Sequence, residues 1–211
     1  GRFQILGKST RAGTTLKTIC VFCGSSSVVS SQFYSAADAM AREILKRDLT
    51  LVYGGATVGL MGQIAREVMA GGGRVIGVIP GFLASREIAH NGITELIHVN
   101  TMHERKARME SLSDCFAALP GGLGTIEEIF EMLTWVQLGV HNKPCGFLNT
   151  DGYYDPILAF LEKASNEKFL SASFREHIHF ESSPEALMAR LTGHTNRKEG
   201  SRQNQITPER M

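Results

Sequence analysis

The stretch of this sequence best suited to chemistry is a glycine-rich turn carrying two carboxylates, Pro120-Gly121-Gly122-Leu123-Gly124-Thr125-Ile126-Glu127-Glu128. It follows an apolar run at 114–119 and leads into a helical pattern in which Ile126, Ile129, Phe130 and Leu133 repeat. The reading is strand, turn, helix. Glycines let backbone N–H groups approach an anion closely, and a helix start adds free amides and the positive end of its dipole. Gly121, Gly122, Leu123, Gly124 and Thr125 are therefore candidates for holding a phosphate. A loop built only for phosphate needs neither Glu127 nor Glu128. At about 100° per residue Glu128 falls nearly opposite the apolar stripe, free to face a ligand or another subunit. The same four residues, Thr125 to Glu128, also form a capping box, with Thr125 as N-cap and Glu128 reaching back to its N–H. Spacing alone favours the cap.

A second charged constellation lies upstream in Met102-His103-Glu104-Arg105-Lys106-Ala107-Arg108-Met109, which reads as a helix start with Thr101 as its cap. Arg105, Lys106 and Arg108 there oppose the helix dipole, so their placement calls for an anion to compensate them. His103-Glu104 does not extend to H-E-x-x-H, because position 107 is alanine. Cys20-Val21-Phe22-Cys23 is formally C-x-x-C, but it sits in strand-like sequence where residues three apart point to opposite faces. No second pair completes a zinc tetrahedron, so neither a metal nor any other cofactor is expected. Cys115 and Cys145 fall in apolar runs as small hydrophobes.

These groups need a scaffold, and the pattern around them supplies one. Apolar runs at 18–23, 50–53, 74–79, 95–99, 114–119, 145–149 and 177–180 alternate with helical stretches, among them 31–46, one reaching about 70, 156–168 and 184–191. This predicts an α/β fold: a Rossmann-like open sheet, mainly parallel, of about seven strands with helices on both faces. Ligands in such sheets bind beyond the carboxyl ends of the strands. That edge should carry Gly24-Ser25-Ser26 after the first strand and a second glycine-rich turn, Gly54 to Gly62, after the second. The latter is neither G-x-G-x-x-G nor a P-loop, so close backbone packing or a nucleotide monophosphate fits it better. The long polar connection holding Glu87 also lies at the ligand edge, where Glu87 is either a ligand contact or an ordinary solvated charge; the residues alone favour the second.

The chain has 211 residues, enough for one substantial core, and one domain over 17–192 is expected, with flexible tails at 1–16 and 193–211. Lys and Arg total 22 against 21 for Asp and Glu, so no global field points to nucleic acid or an anionic membrane. Without a membrane-spanning run or a signal peptide, the expected location is the cytoplasm.

Taken together and in order, Met102-His103-Glu104-Arg105-Lys106 and Pro120-Gly121-Gly122-x-Gly124-Thr125-x-x-Glu128 resemble the LONELY GUY family. Its members are cytokinin-activating nucleoside 5′-monophosphate phosphoribohydrolases, labelled "lysine decarboxylase-like" in older naming. The similarity runs over about 17–191 and takes in Gly24-Ser25-Ser26, Val52-Tyr53-Gly54-Gly55 and Glu87. It implies hydrolysis of the N-glycosidic bond of an adenosine monophosphate, often N6-substituted, to free base and ribose 5-phosphate. It also implies a homodimer with sites near the interface. Arg105 and Glu128 are the catalytic residues it assigns. Substrate binding falls to Glu87, Lys106, the glycine loop with Ile126 and Glu127, and Thr134, with Gly24, Ser25, Gly54 and Gly55 as further candidates.

The chemistry of the residues is compatible with that assignment. Breaking a ribosyl bond builds positive charge on the sugar, which an ionised carboxylate stabilises or relieves by activating water. A helix start and nearby cations favour the ionised form, so Glu128 reads as base or nucleophile. Arg105 keeps its proton and suits phosphate or developing negative charge. The older label needs a Schiff-base lysine, and Lys106 among arginines suits phosphate better. The competing class is a nucleotide-monophosphate-binding module in which Glu128 only caps. A third possibility is phosphate-assisted transfer by a related enzyme.

Overall fold

The computed structural model describes residues 16–84, 89–175 and 177–197. Of the expected tails at 1–16 and 193–211, residues 1–15 and 198–211 lie outside the described residues, as does Glu87. In chain order the elements are β1 (Thr18–Phe22), α1 (Ser31–Lys46), β2 (Thr50–Tyr53), α2 (Gly59–Ala70), β3 (Val75–Pro80), α3 (Gly81–Ala84), β4 (Glu95–Val99) and α4 (Met102–Leu112). There follow β5 (Cys115–Ala118), α5 (Leu123–Gln137), β6 (Cys145–Leu148), a 3₁₀ turn (Thr150–Gly152), α6 (Asp155–Asn166), α7 (Ala172–Arg175), β7 (Ile178–Glu181) and α8 (Pro184–Arg197).

The strands form one seven-stranded sheet in the order β4-β3-β2-β1-β5-β6-β7, with every pairing parallel. Continuous apolar runs such as Thr18–Phe22 suit strands covered on both sides. Alternation along β1 sends Ile19 and Val21 into a core closed by α1, α2 and α8, and Cys20 and Phe22 into another beneath α4, α5 and α6. Cys20 and Cys23 accordingly serve opposite cores, and all four cysteines are buried and free.

Two ends differ from expectation. Leu16 is buried in the α1 core, and α8 continues to Arg197, beyond the expected stop at 191. Glycine at 193 interrupts helical propensity without ending the helix. No described helix is long and apolar enough to cross a membrane.

The strand order reverses at β1, which lies between β2 and β5. A crevice opens beyond the carboxyl ends of strands at such a reversal, because the connections leave in opposite directions. The turns after β1 and β5 meet there, backbone to backbone, with Gly24 N–H donating to the Pro120 carbonyl at 3.1 Å.

Candidate active site

The helix after β5 starts earlier than a cap at Thr125 requires. Its first residue is Leu123 and its N-cap is Gly122, in extended backbone and with no side-chain cap. Thr125 lies inside the first turn, 4% exposed, so the capping-box reading of Glu128 fails. Glycine at the cap leaves the first amides open to the cavity. A Cβ at Gly122 or Gly124 would meet nothing within 4 Å. Gly121 has no such room, since a Cβ there would stand 2.1 Å from Thr125 Oγ1.

The cap that does form is upstream. Thr101 Oγ1 accepts the Glu104 N–H at 3.1 Å, and Glu104 reaches back to the Asn100 N–H at 2.8 Å. This fixes the start of α4 and puts Arg105 over the ends of β2 and β3. Arg105 is 5% exposed. Its Nε donates to the Val78 carbonyl at 3.0 Å and its Nη2 to the Gly54 carbonyl at 2.8 Å. The remaining terminal nitrogen, Nη1, lies 4.0 Å from Glu128 Oε1.

Glu128 does not lie opposite the buried stripe. Its side chain is 14% exposed, because the helix buries Thr125, Ile129, Met132 and Leu133 while Ile126 and Phe130 are only half-buried. The stripe is thereby rotated by more than half a residue step from its expected centre, and Glu128 stands on its flank, turned into the crevice. Ile126 packs toward the sheet and not toward the cavity.

The anions that compensate Arg105 and Lys106 are protein carboxylates. Lys106 pairs with Glu127 and lies 3.1 Å from Glu131 Oε2. Burial alone would lower the Lys106 ammonium, but its hydrogen bonds to Glu127 and Glu131 outweigh that and hold it above its ordinary pKa. Lys106 does not line the cavity.

The cavity, about 330 Å³, is walled on its polar side by Ser25, Arg105, Gly122, Thr125, Glu127 and Glu128. Gly24, Leu123 and Gly124 complete that wall. Six of the expected contacts lie elsewhere: Lys106, Gly121, which packs against Thr125, and the four that follow. Gly54 and Gly55 are buried behind the wall, the first spent on Arg105 and the second accepting the His90 N–H at 2.9 Å. Ile126 packs under the helix, and Thr134, two turns further on, is exposed and donates to the Phe130 carbonyl at 2.7 Å.

Residue reasoning missed the apolar wall formed by Cys23, Met61, Leu83 and Met102. Met102 stands three residues before Arg105 on one helix face, a spacing that could have found it. Burial first, and the Glu128 charge second, push the Cys23 thiol up, so it is a neutral wall group and no nucleophile.

Open backbone amides at a helix start beside a guanidinium–carboxylate pair are groups that hydrolysis at a phosphorylated sugar would use. A family model described as "possible lysine decarboxylase" matches residues 61–191. A cytokinin riboside 5′-monophosphate phosphoribohydrolase of Arabidopsis thaliana is 51% identical over 162 residues, covering 77% of this chain and 76% of the relative. Another protein of that name from the same plant is 46% identical over 183 residues, 87% of this chain and 86% of the relative. The chain belongs to the LONELY GUY family.

Two more distant structures share the fold of this LONELY GUY protein. The molybdenum cofactor carrier protein of Chlamydomonas reinhardtii aligns with TM-score 0.66 at 17% identity, over 86% of this chain and 99% of that one. The molybdenum cofactor binding protein of Rippkaea orientalis gives 0.63 at 21% identity, over 84% and 96%.

Proposed function

We propose that this protein hydrolyses the N-glycosidic bond of N6-substituted adenosine 5′-monophosphates, releasing free base and ribose 5-phosphate, within a catalytic unit spanning 17–192. The observation that carries this reading is the Arg105–Glu128 pair at 4.0 Å beside the open amides of the glycine turn. The names of relatives about half identical over most of their length support the substrate class.

The phosphate sits on the Gly122 to Thr125 amides, where no carbonyl one turn back competes for them. This anchors the ribose over Glu128. As the bond from C1′ to the base nitrogen lengthens, its electron pair leaves with the base and positive charge grows on the sugar. The Glu128 carboxylate stabilises that charge and takes a proton from the attacking water, whose oxygen becomes the new hydroxyl at C1′; the departing base takes up a proton from solvent, and Glu128 returns its own to solvent. Arg105 is held by neutral carbonyls, so its charge stays available to aim Glu128. Lys106 acts behind the wall by neutralising Glu127, which would otherwise repel phosphate. A decarboxylase role is poorly served by Lys106, because a Schiff-base lysine needs a depressed pKa and this one is raised.

The homodimer implied by the family resemblance has a surface suited to it at the end of α5, where Leu138 is 72% and Val140 66% exposed.

Incubation with AMP and with N6-isopentenyladenosine monophosphate, followed by separation of products, tests the activity. Free base and ribose 5-phosphate should appear in equal amounts. Nucleotide binding without any free base would establish the binding-module alternative instead.

A further inference from the structure

Three successive carbonyls precede the proposed phosphate site, and each is already occupied by a protein donor. The Leu119 oxygen accepts from the Tyr154 hydroxyl at 2.6 Å, and the Pro120 oxygen from the Gly24 N–H at 3.1 Å. The Gly121 oxygen accepts from the Tyr153 hydroxyl at 2.7 Å. A carbonyl turned toward a phosphate would repel it, so this is the orientation an anion site needs.

The three peptides are not equally in need of a restraint. Rotation of a peptide plane is limited by the side chains that flank it, and the plane between Gly121 and Gly122 has a glycine on both sides. It is the plane in the turn most able to flip. A trans peptide carries its N–H opposite its C=O, so holding the Gly121 oxygen on the Tyr153 side aims the Gly122 N–H the other way, toward the cavity that Gly122 lines.

We propose that Tyr153 is a positioning residue for phosphate recognition: its hydroxyl fixes the Gly121–Gly122 peptide plane and so aims the first amide of the anion site. The proposal rests on the reading of that turn as the phosphate site. The phenol is well placed for the task. Tyr153 packs edge-on against Phe33 at 5.4 Å and Tyr154 at 5.0 Å, which fixes the ring without the hydroxyl. Next to it, the Tyr154 N–H donates to Asn149 Oδ1 at 2.7 Å, tying the pair to the end of β6. Tyr153 is 41% exposed. Water can therefore replace its hydroxyl at the Gly121 oxygen, and removing the hydroxyl costs the fold little. What water does not supply is a fixed direction.

Tyr153→Phe separates these effects, because it keeps the ring contacts and removes one O–H. Calorimetric titration with ribose 5-phosphate should show binding weakened about threefold to tenfold, the loss of roughly one hydrogen bond's orientation. The melting temperature should stay within about 2 °C of the wild type. In turnover, KM for AMP should rise while kcat stays within about twofold, and binding of the unphosphorylated nucleoside should not change. Unchanged affinity for ribose 5-phosphate in the variant overturns the proposal. So does an equal loss for nucleoside and nucleotide with a lowered melting temperature, which is the mark of a merely structural tyrosine. Ribose 5-phosphate binding needs no turnover, so these results stand apart from the hydrolysis reading. Failure of the wild type itself to bind ribose 5-phosphate would remove the anion site and this role together.

Discussion

The turns after β2 and β5 are both rich in glycine, yet one is packed against protein and the other opens on a cavity. A Cβ at Gly54 would lie 2.2 Å from Arg105 Nη2, and one at Gly62 would lie 1.8 Å from the Thr57 carbonyl. At Gly122 and Gly124 a Cβ would meet nothing within 4 Å. A missing side chain frees a volume, and the surroundings decide whether protein or ligand takes it. Here the packed turn positions the cation, the open turn carries the proposed anion site, and Arg105 and Glu128 join the two.

The junction should show the largest effect when broken. Glu128→Gln is expected to lower kcat roughly a hundredfold to ten-thousandfold while binding ribose 5-phosphate no more weakly than the wild type. Near-normal turnover would leave Glu128 a structural partner of Arg105. Gly54→Ala tests the packed turn. Its methyl group displaces Arg105, so both stability and kcat should fall, stability by about 1–3 kcal/mol in a denaturant melt.

Lys106→Met should cost a similar 1–3 kcal/mol or so by stranding Glu131, and should raise KM by leaving Glu127 unpaired at the cavity wall. Adding Glu127→Gln should restore KM. If KM stays high in the double variant, Lys106 touches substrate directly. Gly124→Ala is the counterpart of Gly54→Ala in the open turn. Stability should hold or rise by up to about 1 kcal/mol, while KM for AMP increases. A stability loss there would erase the contrast between the turns.

The smallest effect concerns acid. Burial lowers the pKa of His90, His141 and His179, with the charge of Arg66 adding to the shift at His90. A lowered histidine pKa means the unfolded chain protonates first, so this stability is present above pH ~6.5 and is lost as pH falls through it. Melting temperatures should drop between pH 7.5 and 5.5. The His90 share should act on the packed turn, since the His90 N–H donates to the Gly55 carbonyl at 2.9 Å.

Much of the fold was legible because its signals are local and repeated. The apolar runs marked all seven strands, and the stretch at 31–46 gave the limits of α1 as observed. Two Thr-x-x-Glu sequences were ambiguous in isolation: Thr101 to Glu104 caps α4, whereas Thr125 to Glu128 is already inside α5. Gly122 decided between them, because a glycine can start a helix and leave its amides to a ligand. The tilt of Glu128 depends on which helix face meets the sheet, and that is set by Met132 and Thr125 packing against other elements. Likewise, nothing within the Gly54 turn records that an arginine 51 residues later will fill its space. The partners of Tyr153 and Lys106 are also long-range, and only the folded chain brings them together.

The four buried cysteines give the protein a gauge of its own motion. A thiol shielded by packing, and held protonated by it, reacts with an alkylating reagent only while its surroundings are parted. Cys115 and Cys145 lie in β5 and β6 with thiols pushed up by burial, so their modification would tally openings of the sheet's centre. Cys23 stands at the cavity wall, and its tally would follow the breathing of the site. A nucleotide seated there should slow that clock and leave the other two running, so local and global opening can be timed separately without adding a label.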